Sequence, residues 1–235
     1  MQPPVTSGNP YTVPFFPVPF LIVTSWSHNA AAGSAPLTFK VYRGTGPNTY
    51  RVIGHDGPRA LSSGVINTFS GLRIPVRAGD VIGLHTTGAS TACEFNAPGE
   101  RNFVRDGDLA DGQEGTFTES PGERVNVTAV VEPDNRFTFG KVKLNKEKGT
   151  ARLTVSVPNP GELTGSGKGV KVASAALISK SVPAAGPVNL KIGAKGKKRR
   201  RLNETGKVKV KPKITYTPTG GDPSTQSIKV KLKKV

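Results

Sequence analysis

The sequence predicts an all-β protein of two β-sandwich domains, a jelly-roll-like one over about 1–134 and an immunoglobulin-like one over about 135–235. Three observations lead there. Apolar and polar residues alternate in many short runs, whereas no stretch places apolar residues at i, i+3, i+4 and i+7 over three helical turns. Gly (28) and Pro (20) make up about a fifth of the 235 residues, well above the ordinary share of roughly 12%. The charge also changes abruptly. Up to Asn135 there are nine Lys/Arg against twelve Asp/Glu, and from Arg136 onward twenty-four against four. A step from −3 to +20 within a net +17 chain marks a domain boundary and points to a polyanionic partner for the second half.

The chain opens on an apolar run, YTVPFFPVPFLIV (11–23). No basic segment precedes it and three prolines interrupt it, so it fits neither a signal-peptide core nor a membrane helix. The expectation is an extended segment leading into the first strand. Strand candidates then follow at 20–26, 37–43, 48–54, 65–69, 72–76, 80–86, 92–95 and 124–131. In LTFKVYR (37–43), Leu37, Phe39, Val41 and Arg43 share one face and Thr38, Lys40 and Tyr42 the other, the period of a half-buried strand. IPVRAGDVIGL reads as strand, tight turn, strand, with Asp80 bonding its local backbone. Cys93 is the only cysteine. With no leader before it in a β-rich chain, the expectation is a start truncated upstream of Met1, where a signal peptide and a partner cysteine would lie.

Beyond the short Glu132-Pro133-Asp134-Asn135 linker, the strand candidates are 137–144, 151–157, 161–167, 174–182, 187–193, 206–217 and 227–234. Turn signals at Asn159-Pro160-Gly161, Ala185-Gly186 and Gly220-Gly221-Asp222-Pro223 separate them. Six or seven strands in about 100 residues is the immunoglobulin-like pattern, without its Cys…Trp…Cys signature.

These residues carry a resemblance. FTFGKVKLNKEKGTARLTVSVPNPGELTGSGKGVK, GPVNLKI and TYTPTGGDPSTQSIKVKL resemble the Ig-like repeat found, often C-terminally, in secreted proteins of high-GC Gram-positive bacteria. GHDGPRAL, RIPVRAGDVIGLHT and ACEF are similar to a β-rich domain that precedes such repeats. The resemblance covers most of the chain. It implies an exported or surface protein and brings no catalytic residues with it.

The chemical motifs reduce to a few. GELTGSGKG (161–169) has five residues between Gly161 and Gly167, one more than a phosphate loop, and no Ser or Thr after Lys168, so it reads as a turn between strands. Asp106, Asp108, Asp111 and Glu114 lie close together in RDGDLADGQEG, the oxygen-rich loop chemistry of calcium, although off the EF-hand register. Calcium is therefore the one cofactor considered, against a solvated acidic turn. His28, His55 and His85 show no metal-ligand spacing, and no G-x-S-x-G elbow appears. Trp26, Tyr42 and Tyr50 are the candidates for a sugar-stacking face on the first domain, with a core position as the alternative for Trp26.

The lysines are the strongest signal. In GKVKVKPKITY, Lys207, Lys209, Lys211 and Lys213 alternate with Val208, Val210, Pro212 and Ile214. On one strand, their ammonium groups would leave one face about 6.8 Å apart. Lys229, Lys231 and Lys233 repeat the pattern, Lys141 and Lys143 flank Val142, and pairing of the two long segments would merge their lysines into one basic face. Lys195, Lys197, Lys198, Arg199, Arg200 and Arg201 are expected in a loop. The basic half holds nineteen Lys to five Arg and only Phe137, Phe139 and Tyr216 as aromatics, which disfavours base readout and stacking. The functional expectation is a non-catalytic, secreted or envelope-associated structural and adhesion protein held to anionic wall polymer or polysaccharide. The alternative is a carbohydrate-binding module with its site on the first domain, and a solvated lysine face that discourages sheet pairing is the plainest reading of the charge.

Overall fold

The alternating runs become strands in a computed structural model that describes residues 19–31, 35–86, 94–173 and 179–235. Cys93 and residues 11–18 of the apolar opening lie outside the described residues. The chain divides into two units, Met1–Glu132 and Pro133–Val235. Both are almost wholly β, and among the described residues no helix is long and apolar enough to cross a membrane.

The first unit contains β1 (Leu21–Asn29), β2 (Leu37–Gly46), β3 (Thr49–Arg59), β4 (Ile66–Val76), β5 (Val81–Thr86), β6 (Glu94–Val104), β7 (Glu114–Thr116), β8 (Thr118–Val125) and β9 (Thr128–Pro133). They form sheets β4-β1-β9 and β5-β2-β3-β7 and a β6-β8 pair. Two expected strands, 65–69 and 72–76, are the single strand β4, which bends where β1 slips register between Val23 and Ser25. The first two sheets close on a core of Leu21, Val23, Trp26, Phe39, Val41 and Leu84. A second apolar layer covers the other face of β2 and β3, where Tyr42, Tyr50 and Val52 meet Phe103, Leu109 and Phe117. Hence β2 is buried from Leu37 to Tyr42 on both faces, not the half-buried strand that its alternation predicts. Asp80 does bond its own turn, accepting the Arg77 N–H at 2.9 Å. It also accepts two Arg43 guanidinium N–H groups, from Nε at 2.8 Å and from Nη2 at 2.7 Å.

The second unit contains β10 (Thr138–Asn145), β11 (Thr150–Val157), β12 (Gly161–Ser166), β13 (Val170–Ala173), β14 (Ser179–Val182), β15 (Gly186–Ala194), α1 (Gly196–Thr205), β16 (Lys207–Val210), β17 (Lys213–Pro218), β18 (Ser224–Ser227) and β19 (Val230–Lys233). Sheet β10-β11-β15-β13 has the A-B-E-D strand order of an immunoglobulin sandwich, and sheet β14-β12-β17-β18 contains its C-F-G order with β14 added at the edge. Between them lies a core of Leu153, Val155, Leu163, Ile192, Ile214 and Tyr216. Tyr216 donates its hydroxyl to the Asn159 carbonyl at 2.7 Å.

Two corrections to the expected elements concern the basic segments. The loop at 195–201 is helix α1 with Lys195 as its N-cap. The single strand at 206–217 is two, because Pro212 has no N–H for a ladder and the chain leaves one sheet for another at Lys211-Pro212.

This unit has two unlike ends. At the end where the chain enters, Val157 faces Gly186, Gly161 faces Pro218, and Asn135 donates to the Asp222 carbonyl. At the far end lie the β10–β11 turn, α1 and the last residues, with Lys234 N–H bonded to Gly206 O at 2.7 Å and Val235 N–H to Lys146 O at 3.2 Å. The candidate site is built at this far end.

Candidate polyanion-binding surface

The two lysine-alternating segments do pair. Strands β16 and β19 run antiparallel with Lys207 opposite Lys233 and Lys209 opposite Lys231. Val208, Val210, Val230 and Leu232 turn into the core and the four lysines into solvent. The ribbon is therefore a basic face of four. Lys211 and Lys229 lie outside both strands, and Lys213 belongs to β17, opposite Ser227 and Ser166. All three are exposed but off the ribbon.

A second basic surface gathers residues that alternation along one strand does not reveal. On the outer face of sheet β10-β11-β15-β13, Lys143 is opposite Arg152, and Arg152 is opposite Lys191. Three cations thus form a row across three neighbouring strands, about 4.8 Å apart from strand to strand. Lys171 on β13 adds a fourth from beside Gly193. The row floors a cleft of about 980 Å³. Lys148 from the β10–β11 turn, Arg199 from α1 and Lys234 from the last residues also line it. Of the described residues that line this space, seven are Lys/Arg and none is Asp or Glu. Among the described residues none of the seven pairs with a carboxylate. Lys234 Nζ donates instead to Asn203 Oδ1 at 3.0 Å. Like charges directly opposite on neighbouring strands are destabilising, so this row is a local rule broken, as happens where a surface serves something other than stability.

Helix α1 forms the remaining wall, and its own charges oppose it. Lys197, Lys198 and Arg199 stand in the first turn, where the helix dipole favours anions, with no acidic residue and no side-chain cap there. Tertiary contacts hold it. Leu202 is 4% exposed and packs into the core, close over Gly149. Lys198 Nζ donates to Lys209 O at 2.8 Å. Gly206 closes the helix at φ 67°, its N–H on Leu202 O at 3.0 Å, a left-handed cap that suits glycine. With Leu202 turned inward, Arg199 and Asn203 face the cleft, while Lys197, Arg200 and Arg201 are exposed. Of the basic residues singled out in the sequence, Lys143 and Arg199 line the cleft.

The other candidates do not assemble. Asp108 accepts Lys40 Nζ, Asp111 lies 2.8 Å from His55 Nδ1, and Glu114 accepts Arg51 at 3.0 Å. Asp106 sits in the same loop, with its carbonyl accepting from Arg105. Each of those three acids thus has its own side-chain partner, and no group of three among the described residues is arranged to hold a metal ion. Trp26, Tyr42 and Tyr50 are 1%, 3% and 7% exposed. Trp26 stacks on Phe39 at 5.5 Å and donates to Asp56 Oδ2 at 2.7 Å, whereas Tyr42 and Tyr50 pack on Phe117 in the other layer. The three rings are core in two separate clusters, which corrects their assignment to a sugar-stacking face.

No protein-family model, no curated protein and no solved structure matches the chain.

Proposed function

We propose that this is a non-catalytic secreted or envelope-associated structural and adhesion protein whose second domain holds it electrostatically to an anionic polymer. One observation carries the reading: the Lys143–Arg152–Lys191 row, in register and, among the described residues, without a carboxylate partner or a carboxylate on the walls of its cleft. A fold that only needed solubility would intersperse charges of both signs. Phe137, Phe139 and Tyr216, the only aromatics of this unit, pack on one another, so binding rests on charge without base stacking or sequence readout. The export and adhesion part of the reading rests on the resemblance to actinobacterial surface repeats.

Cosedimentation of the full chain with purified cell wall, teichoic acid and duplex DNA at low and high salt tests it. Counterion release predicts binding that falls steeply with salt. Binding that does not respond to salt, or no binding to any of them, refutes the reading and leaves the charge as a solvated surface.

A further inference from the structure

We infer that the cleft takes a flexible phosphate chain, bound across strands β10, β11 and β15 and under helix α1, and that the β16–β19 ribbon is not its main site. This rests on the polyanion reading above and narrows it to one place and one ligand chemistry.

The place follows from concentration of charge. The ribbon presents four lysines on two strands, open to solvent on one side. The cleft brings seven cations around one space, from three strands of the floor, β13, a turn, a helix and the chain end. A recess lined by one sign of charge focuses the field more than a flat ribbon does. Its volume, about 980 Å³, is at the upper end of the range for ligand sites and far exceeds what one small anion fills.

The ligand class follows from what lines the space. Five of the seven cations are Lys, compact point charges that suit phosphate oxygens. The guanidinium fork, which matches planar carboxylate and phosphate bidentately, is the minority among them. No aromatic ring among the described residues lines the cleft, so neither a nucleobase nor a pyranose ring has a stacking partner among them. Asn145, Asn189 and Thr150 add neutral polar groups between the cations. A chain carrying a charge on every short repeat and no bulky ring fits this lining. Poly(glycerol phosphate) of a wall polymer and inorganic polyphosphate share that chemistry.

The test uses the full chain, with binding followed by titration calorimetry at several salt concentrations. The ligands are long-chain inorganic polyphosphate, poly(glycerol phosphate), orthophosphate at equal phosphorus, and poly-glutamate at equal charge. Two variants are compared with the wild type: K143Q/R152Q/K191Q in the cleft and K207Q/K209Q/K231Q/K233Q on the ribbon. The cleft variant relieves repulsion, so an unchanged or raised thermal midpoint verifies its fold. The expected result is tight binding of one or both phosphate polymers and weak binding of orthophosphate and poly-glutamate. The cleft variant loses at least about tenfold in affinity, and its log–log salt slope falls by about 2, at about 0.7 per lost phosphate contact. The ribbon variant stays within about threefold of the wild type. Whichever phosphate polymer binds more tightly identifies the source. Poly-glutamate binding as tightly as the phosphate polymers, or a larger loss in the ribbon variant, overturns the inference while the polyanion reading stands. Binding of none of the polymers overturns both.

Discussion

Reversing the charge at the centre of the cleft row should stabilise the second domain and weaken its binding together. Arg152 stands opposite Lys143 on one side and Lys191 on the other, so Arg152→Glu turns two repulsive pairs into two attractive ones. Charges about 5 Å apart in water interact by about 0.8 kcal/mol, and screening at physiological salt roughly halves that. Two pairs changing sign give at most about 2 kcal/mol. Splaying of these long exposed side chains lowers that to about 1 kcal/mol, within the range measured for exposed pairs. In a domain of this size that is a rise of roughly 4–8 °C in thermal midpoint. Calorimetric melting of the full chain at low and at high salt reads it, with Ser156→Glu as control. Ser156 shares the outer face of β11 but lies opposite Pro187 and Thr138. The variant should melt higher at low salt, the gap should close at high salt, and the control should move little. An Arg152→Glu midpoint equal to or below the wild type at low salt refutes the claim that the row is held against its own repulsion.

Three further outcomes are expected. His28 is buried, bonded through Nδ1 to Asn126 O at 2.7 Å with no partner at Nε2, and burial holds its pKa below the ordinary 6.5. Its neutral form is favoured on folding, so first-domain stability is full above about pH 6.5 and falls as acid protonates the unfolded chain first. His28→Gln should flatten that slope in urea titrations between pH 7 and 5. Lys40 is 3% exposed, its ammonium on Asp108 Oδ1 and Leu109 O, both at 2.5 Å. Asp108→Ala should cost about 2 kcal/mol by stranding that charge, less than for a fully buried partner because Asp108 is half exposed; Lys40→Met should be nearly neutral, both read from denaturation midpoints. Leu202→Ala should cost about 2–4 kcal/mol in the second domain. It should also weaken phosphate-polymer binding, since α1 is one wall of the cleft and brings Arg199 to it, with helix loss followed by hydrogen exchange.

How much of this was legible depended on whether the cause was local. The ribbon was legible because its alternation lies within single strands and two such strands pair. The cleft row was not, because Lys143, Arg152 and Lys191 come from three strands and only the register sets them side by side. The alternation of β2 gave its two faces correctly and its burial wrongly. The layer covering Tyr42 and Lys40 comes from β6 and from 109–117, where Leu109 and Phe117 stand as isolated apolar residues among turn formers. Helix α1 was hidden because its run of cations works against helix formation. Leu202 is its only buried side chain, too little for an amphipathic signal; the faint local signs were a glycine at the cap position and the good helix formers Lys, Arg and Leu.

The two domains put their charges to opposite uses, and that contrast is the physical case for a partner. In the first, cations answer acids: Lys40 with Asp108, Arg43 with Asp80, Arg59 with Asp56. Asp80 is 1% exposed and Lys40 3%, so these charges are desolvated, and their pairing is what the fold requires. In the second, the cleft cations have no such answer. Neutral residues would serve the outer face of the β10-β11-β15-β13 sheet as well or better, as Thr154 does further along β11, donating to Asn189 Oδ1 at 3.0 Å. Stability therefore does not explain seven cations around one recess, and solubility needs only that charge be present, not that it converge. Convergence is what a multivalent anion requires, since each added contact on a tethered chain releases further counterions at little extra ordering cost. If the proposed anion binds, it relieves the repulsion at Arg152, and the bound domain should be the more stable one, its midpoint rising with polymer concentration.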